Sequence, residues 1–250
     1  MARRLVTQSF CEMMLCSKAS KNEDRFYAIL PQTKYKDKTN QVPDWNINNM
    51  TSIKLKLFEI LDTKDKLTLL FLAGFNRSSS RFELTADVLP TFATSSVSKS
   101  ACNYFAADYP LNFDLDNKST ITLHPHARDS HLSYFLQLTP KTYSVADLST
   151  NHPDYIDSSR GDYLDELADA MIEKTRNYLQ LSTPVCIVCI SYFDTSTSTY
   201  WESYRTLMKG ALYLAGSFRE NKWTLIKPYA LSDEDLFDRG NKNGTVFNIY

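Results

Sequence analysis

The chain has 250 residues, of which 43% are apolar and 23% charged, with a formal net charge of −1 at pH 7. That length makes one large domain or two small ones, and that composition supports a sizeable core. Only 6 glycines argue against a glycine-rich nucleotide-binding architecture, and the near-zero charge excludes a strong bulk field for nucleic acid or acidic lipid.

The N-terminal stretch is basic. Residues 1–42 hold eight Lys or Arg, including Arg3, Arg4, Lys18 and Lys21, against four acids. This defines an expected basic, partly flexible arm and linker over 1–50, able to touch an anionic surface. Gln8, Ser9 and Glu12 interrupt the apolar stretch after the arginines, so a signal peptide is not expected. Position 2 is Ala, which removes the myristoylation signal. No run of about 18 apolar residues occurs. The expected location is cytoplasmic or nuclear, not secreted, with peripheral contact at an inner membrane surface as an extension.

Within the arm, residues 5–16 predict a short helix and the polar residues 31–50, with two prolines, predict a loop. "IKLKLFEI" (53–60) alternates apolar and polar residues and predicts a strand. "KLTLLFL" (66–72) follows a short "DTKD" turn and predicts its hairpin partner, with a third strand over 81–89. Residues 119–124 and 131–138 both alternate and predict a second hairpin joined by "PHARDS". The residues over 139–161 are polar. "DYLDELADAMIEKTRNYL" (162–179) carries Leu164, Leu167, Ala168, Met171, Ile172, Tyr178 and Leu179 on one helical stripe, with Asp165, Glu166, Asp169 and Glu173 off it. A buried strand is expected over 184–193. A second amphipathic helix is expected over 199–216, opened by Thr199 and Glu202 as a capping box and stopped by Gly216. Strands over 222–229 and 245–250 follow. The fold class is α+β: a mainly antiparallel sheet of about seven to eight strands with two amphipathic helices in the C-terminal half, forming a single domain over 51–250.

Five cysteines, an odd number, make no disulfide framework. Cys186 and Cys189 form a C-x-x-C on an expected strand, where residues three apart point to opposite faces, so they share neither a metal nor a redox bond. Three of the four histidines lie in "TLHPHARDSH" (122–131). Alternation places His124 and His131 on one solvent-side face, flanking the turn. His126 or Asp129 would add a third ligand for zinc. "HPHARDSH" resembles the H-x-H-x-D-H run of metallo-β-lactamases, with one extra residue between His126 and Asp129. No G-x-S-x-G, P-loop, H-E-x-x-H or kinase signature is present. Apart from zinc, no cofactor is indicated.

"YRTLMKGALYLAGSFRENKW" (204–223) reads as an aromatic–Arg helix, a charged turn and a Trp-led strand. This resembles the C-terminal part of rhabdovirus matrix proteins. The resemblance implies a non-enzymatic, self-associating protein that bridges a viral ribonucleoprotein to an anionic membrane surface. Arg3, Arg4, Lys18 and Lys21 would contact membrane or nucleic acid, and Tyr204, Arg205 and Trp223 would lie at the self-association surface. Two alternatives stay open: a metal-dependent hydrolase on the His124, His126 and His131 hairpin, and a nucleic-acid-binding module drawing on the chain's 15 Tyr and 14 Phe.

Overall fold

The computed structural model of the chain describes residues 10–74, 90–94, 110–128, 131–146, 161–192, 210–226 and 242–250. Arg3, Arg4, the strand expected over 81–89 and residues 199–209 of the expected second helix lie outside them.

The N-terminal part is a helical layer. It holds α1 (Phe10–Cys16), α2 (Asp24–Ile29), 3-10 helices over Leu30–Gln32 and Lys36–Asp44, α3 (Met50–Ile60), α4 (Thr63–Gly74) and α5 (Thr91–Thr94). The stretch 31–50, expected as loop, buries Tyr35, Val42 and Ile47 in the same core as the helices and the sheet.

The hairpin expected over 53–72 is instead the helix pair α3 and α4. The reason begins at Asn49. Its side chain accepts from the Ser52 N–H at 2.8 Å, and Ser52 Oγ accepts from the Asn49 N–H at 3.0 Å, which closes a capping box. The helix then buries Ile53, Lys54, Leu57 and Phe58, a helical stripe that the alternating lysines disguise. Lys54 is only 4% exposed. Lys56 turns outward, pairing with Glu59 and lying 5.2 Å from the centroid of the Trp45 ring. "DTKD" is the cap of α4: Asp62 Oδ1 accepts from the Asp65 N–H at 2.9 Å. Every residue from Leu67 to Gly74 is buried, so α4 has no polar face in its second half and its periodicity is unreadable. Tyr35 donates to Asp65 at 2.6 Å, and Lys34 pairs with Asp62 and Asp65, which lashes the 3-10 segment to this corner.

The sheet runs in the order β1-β2-β8-β6-β5-β4-β3-β7. Its strands are β1 (Ile121–Arg128), β2 (His131–Leu138), β3 (Thr142–Val145), β4 (Cys186–Ser191), β5 (Ala211–Ser217), β6 (Lys222–Ile226), β7 (Lys242–Asn243) and β8 (Phe247–Ile249). Among the described pairings β6–β8 is parallel and the others antiparallel, so the α+β class holds but the sheet is mixed. Among the described residues most helices lie in the N-terminal part, where the expectation had strands and a loop.

One face of the sheet packs on the helical layer through Leu136, Leu138, Val188, Ile190, Leu212, Leu214, Trp223, Leu225, Phe247 and Ile249. The other face, over β4, β5 and β6, is covered by α6 (Gly161–Leu179) through Met171 and Leu179 against Ile187, Tyr213, Ala215 and Ile226. α6 matches the expected helix. Asp169 and Glu173 are exposed on it, as the stripe requires.

β5 also differs from the expected element. Residues 211–216, expected as the end of a helix, form a strand between β4 and β6 with both faces buried. A central strand covered on two sides reads as a continuous apolar run, which mimics a helical stripe. Gly216 is not a helix stop. A Cβ there would sit 2.1 Å from the Lys222 carbonyl oxygen, so glycine is what lets the β5–β6 hairpin close. Asn221, with φ of 47°, completes that turn and accepts from Trp223 Nε1 and the Asn248 N–H. Cys186 packs against the helical-layer core and Cys189 against the α6 core, the opposite faces expected.

Asn112 joins the pieces. It is 3% exposed and donates to the carbonyls of Thr142 (3.0 Å) and Ser191 (2.8 Å), while its Oδ1 accepts from the Thr142 N–H and hydroxyl, both at 2.9 Å.

Candidate functional site

The β1–β2 hairpin is present as expected, but β1 runs on through His126 to Arg128, and the connection shortens to residues 129–130. The register pairs His124 with Phe135, His126 with Ser133 and Arg128 with His131. His124 and His126 therefore share a face. His124 and His131 do not flank the turn together. They stand four strand positions apart, about 13 Å along the sheet.

Extending the register across β8 and β6 gives a grid on this face. Thr122, Gln137, Asn248 and Lys222 form one row, and His124, Phe135, Tyr250 and Thr224 the next. His126 and Ser133 begin a third. Phe247 and Ile249 point to the buried core, which leaves Asn248 and Tyr250 on the grid. Thr122, His124, His126, Ser133, Phe135, Gln137, Asn248 and Tyr250 are all half-buried.

Rings dominate the centre. His124 stacks on Phe135 at 5.1 Å between centroids and 18° between planes. Tyr250 lies 5.4 Å from Phe135 at 32°. His126 stands edge-on to both, 6.1 Å from Phe135 and 5.6 Å from Tyr250. Offset stacks and edge contacts at these separations are favourable. His124 Nε2 is 2.8 Å from the Thr122 hydroxyl, which fixes the imidazole in the stack. Tyr250 is anchored through its backbone: its N–H donates to the Trp223 carbonyl at 2.7 Å, and its carbonyl accepts from Thr91 Oγ1. Thr91 also accepts from the Leu225 N–H at 3.1 Å, so α5 continues the edge of β6 where β8 stops. Lys222 closes one end of the face, donating to the Leu179 carbonyl at the C-terminus of α6 and pairing with Glu220.

Among the described residues no group of three His, Cys, Asp or Glu is placed to hold one metal ion. Asp129 and the side chain of His131 lie outside the described residues, so the full expected zinc set is not in view. Among the described residues the His124 ring meets Thr122 and Phe135 and the His126 ring meets Phe135 and Tyr250, with no carboxylate among these contacts.

Of the other expected contact residues, Lys18, Lys21 and Trp223 are described. Lys18 and Lys21 are exposed between α1 and α2, far along the chain from the ring face. Arg3, Arg4, Tyr204 and Arg205 lie outside the described residues. Trp223 is 0% exposed, its ring packed against Phe218 and Phe247, so it offers no surface for self-association. Among the described residues of that stretch the exposed aromatic is Phe218, at 39%. Sequence reasoning missed Phe135, Gln137, Asn248 and Tyr250 as a set. Phe135 carried a signal, an aromatic at an outward position of an alternating strand. The other half needs the β2–β8 pairing, which is nonlocal.

Among the described residues no helix is long and apolar enough to cross a membrane. No family model, curated protein or solved structure matches the chain.

Proposed function

We propose that this is a non-enzymatic binding protein whose β1–β2–β8 face takes single-stranded nucleic acid. The observation that carries the reading is the half-buried ring set His124, Phe135, Tyr250 and His126, flanked on the same face by the amides Gln137 and Asn248. Aromatic side chains on an open sheet face stack unpaired bases, and polar neighbours meet base edges. The chain's charge of −1 implies few phosphate contacts. Two such contacts give a slope of about −1.4 in log affinity against log salt for a single strand.

The test is fluorescence anisotropy with 12-nucleotide single strands and the matching duplex. Single strands bind in preference to duplex, and His124→Ala, which removes the outermost ring of the stack on the edge strand β1, weakens binding by about 1–3 kcal/mol, the range for one stacked base. No saturable binding at low salt, or wild-type affinity in His124→Ala, overturns the reading.

A viral-matrix-like role rests on a different observation. Phe218 projects from the β5–β6 turn beside exposed Arg219, within the stretch that resembles the matrix proteins. An exposed ring next to a cation suits an anionic membrane surface or a second copy of the chain. Flotation with anionic vesicles, weakened by Phe218→Ser, supports it. Absence of flotation at low salt removes it.

A further inference from the structure

We infer that the ring face seats one unpaired base, stacked on the outer side of His124, and so recognises a single displaced or terminal base rather than a run of them. The inference rests on the nucleic-acid reading above and adds what that reading leaves open, the number of bases held.

The ring row sets the count. His124, Phe135 and Tyr250 stand on or directly after β1, β2 and β8, which are neighbours in the sheet. Their centroids are 5.1 and 5.4 Å apart, close to the strand spacing of about 4.8 Å, so the row advances one ring per strand. Phe135 has His124 on one side and Tyr250 on the other, which leaves it no side for a ligand. At the inner end Tyr250 is backed by the apolar cluster that α6 makes with β4, β5 and β6. The next position in its row is Thr224 of β6, which is fully buried. His126 does not extend the row, because its plane is turned 78° from Phe135 and 80° from Tyr250.

The outer end is different. β1 stands at one end of the sheet, and among the described residues Phe135 is the ring that meets His124. The next place in the row therefore lies beyond β1, one ring spacing out from His124. The Thr122 hydroxyl, 2.8 Å from His124 Nε2, already holds the imidazole in line with the row, so the platform is ordered before a ligand arrives. A further strand is the rival occupant of that place. Pro125, exposed within β1, has no N–H to give an incoming strand, which blunts this edge against pairing. A flat ring needs no such donor. A nucleobase has a π-face, and stacking it on an aromatic side chain tolerates any base. One base brings few phosphates with it, which suits a chain with a net charge of −1.

The experiment uses a 12-nucleotide strand of abasic sites carrying no, one, two or three adjacent thymines at its centre, read by fluorescence anisotropy at low salt. The phosphate chain is the same in all four, and neighbouring thymines stack weakly on one another. The first thymine raises affinity at least about fivefold, the lower bound for a base stacked on an aromatic side chain. Two and three thymines give only about two and three times the one-thymine affinity, since each base fills the single place in turn, whereas a second stacking place would multiply affinity about fivefold again. In His124→Ala the step from none to one thymine disappears. A step of about fivefold at the second thymine overturns the one-base count and leaves the stacking reading standing. A first step of wild-type size in folded His124→Ala, no step at the first thymine, or no binding of any strand overturns both. The wild-type series needs no variant to fold.

Discussion

Replacing Asn112 tests how the central turn is tied to the sheet. Its side chain makes four hydrogen bonds, two as donor to the Thr142 and Ser191 carbonyls and two as acceptor from Thr142. Asn112→Ala deletes all four and strands groups at two places in the chain. At about 1 kcal/mol net per bond, the loss comes to about 3–4 kcal/mol, a large share of a typical domain's stability. Asn112→Asp is nearly isosteric and keeps both accepting contacts, but it turns the donor nitrogen into an oxygen facing two carbonyls. That raises the folded pKa of the new carboxyl above its ordinary value of about 3.9. The folded state then binds more protons than the unfolded, so the variant gains stability as pH falls and loses it as pH rises through the folded value. Urea unfolding of wild type, Asn112→Ala and Asn112→Asp at pH 7 and pH 4 measures this. Asn112→Asp is the less stable variant at pH 7, and its deficit relative to Asn112→Ala narrows by pH 4. A deficit independent of pH, or wild-type stability for Asn112→Asp at pH 7, refutes the bonding described.

Glu220 should give the wild type an acid-sensitive contribution. Burial pushes its carboxyl up, but the Ser182 N–H, the Thr183 and Ser182 hydroxyls and Lys222 outweigh that and hold it at about 2, against 4.5 ordinarily. Its stabilisation is therefore complete above pH 4.5 and is lost as pH falls toward 2; Glu220→Gln flattens an acid titration followed by circular dichroism over that window, and an unchanged titration counts against the tie. Gly216→Ala forces a Cβ to within 2.1 Å of the Lys222 carbonyl and 2.8 Å of Trp223 Cα, so backbone must move; a destabilisation of at least about 3 kcal/mol in thermal unfolding is expected, and a loss under 1 kcal/mol would refute the close hairpin contact. Burial, only partly offset by a hydrogen bond with Tyr213, pushes the Cys189 thiol up to about 12, so residue-resolved thiol labelling should modify it only on unfolding; rapid labelling of native protein, or a Cys186–Cys189 disulfide, contradicts the opposite-face placement.

The legible elements were those with one dry and one wet side. α6 has a clean stripe, and β1 and β2 alternate, so both were readable from local pattern. The misread elements lack that contrast. α3 alternates by accident because Lys54 is buried, and α4 is apolar on every side of its second half. β5 is covered on both faces. The capping signals at Asn49 and Asp62 were present in the sequence and outweigh the eight-residue alternation that suggested strands. At the candidate site, the shared face of His124 and His126 was readable, but their ring partner Tyr250 arrives from more than a hundred residues away along the chain.

The placement of β8 has a kinetic consequence. Two sets of strands pair with near neighbours in the chain: β1 with β2, and β4 with β5 and β6. β8 follows all of them in the chain and lies between β2 and β6, joining the two sets. Its insertion closes long loops, the slow kind of step, after the local hairpins have formed. Until then β2 and β6 each offer a bare edge to any strand that comes, including one from another copy, which marks this interval as the aggregation-prone stage of folding. Phe135 and Tyr250 meet only when that gap is filled. Ring stacking therefore reports the joining of the two strand sets, and a time-resolved aromatic signal would track it.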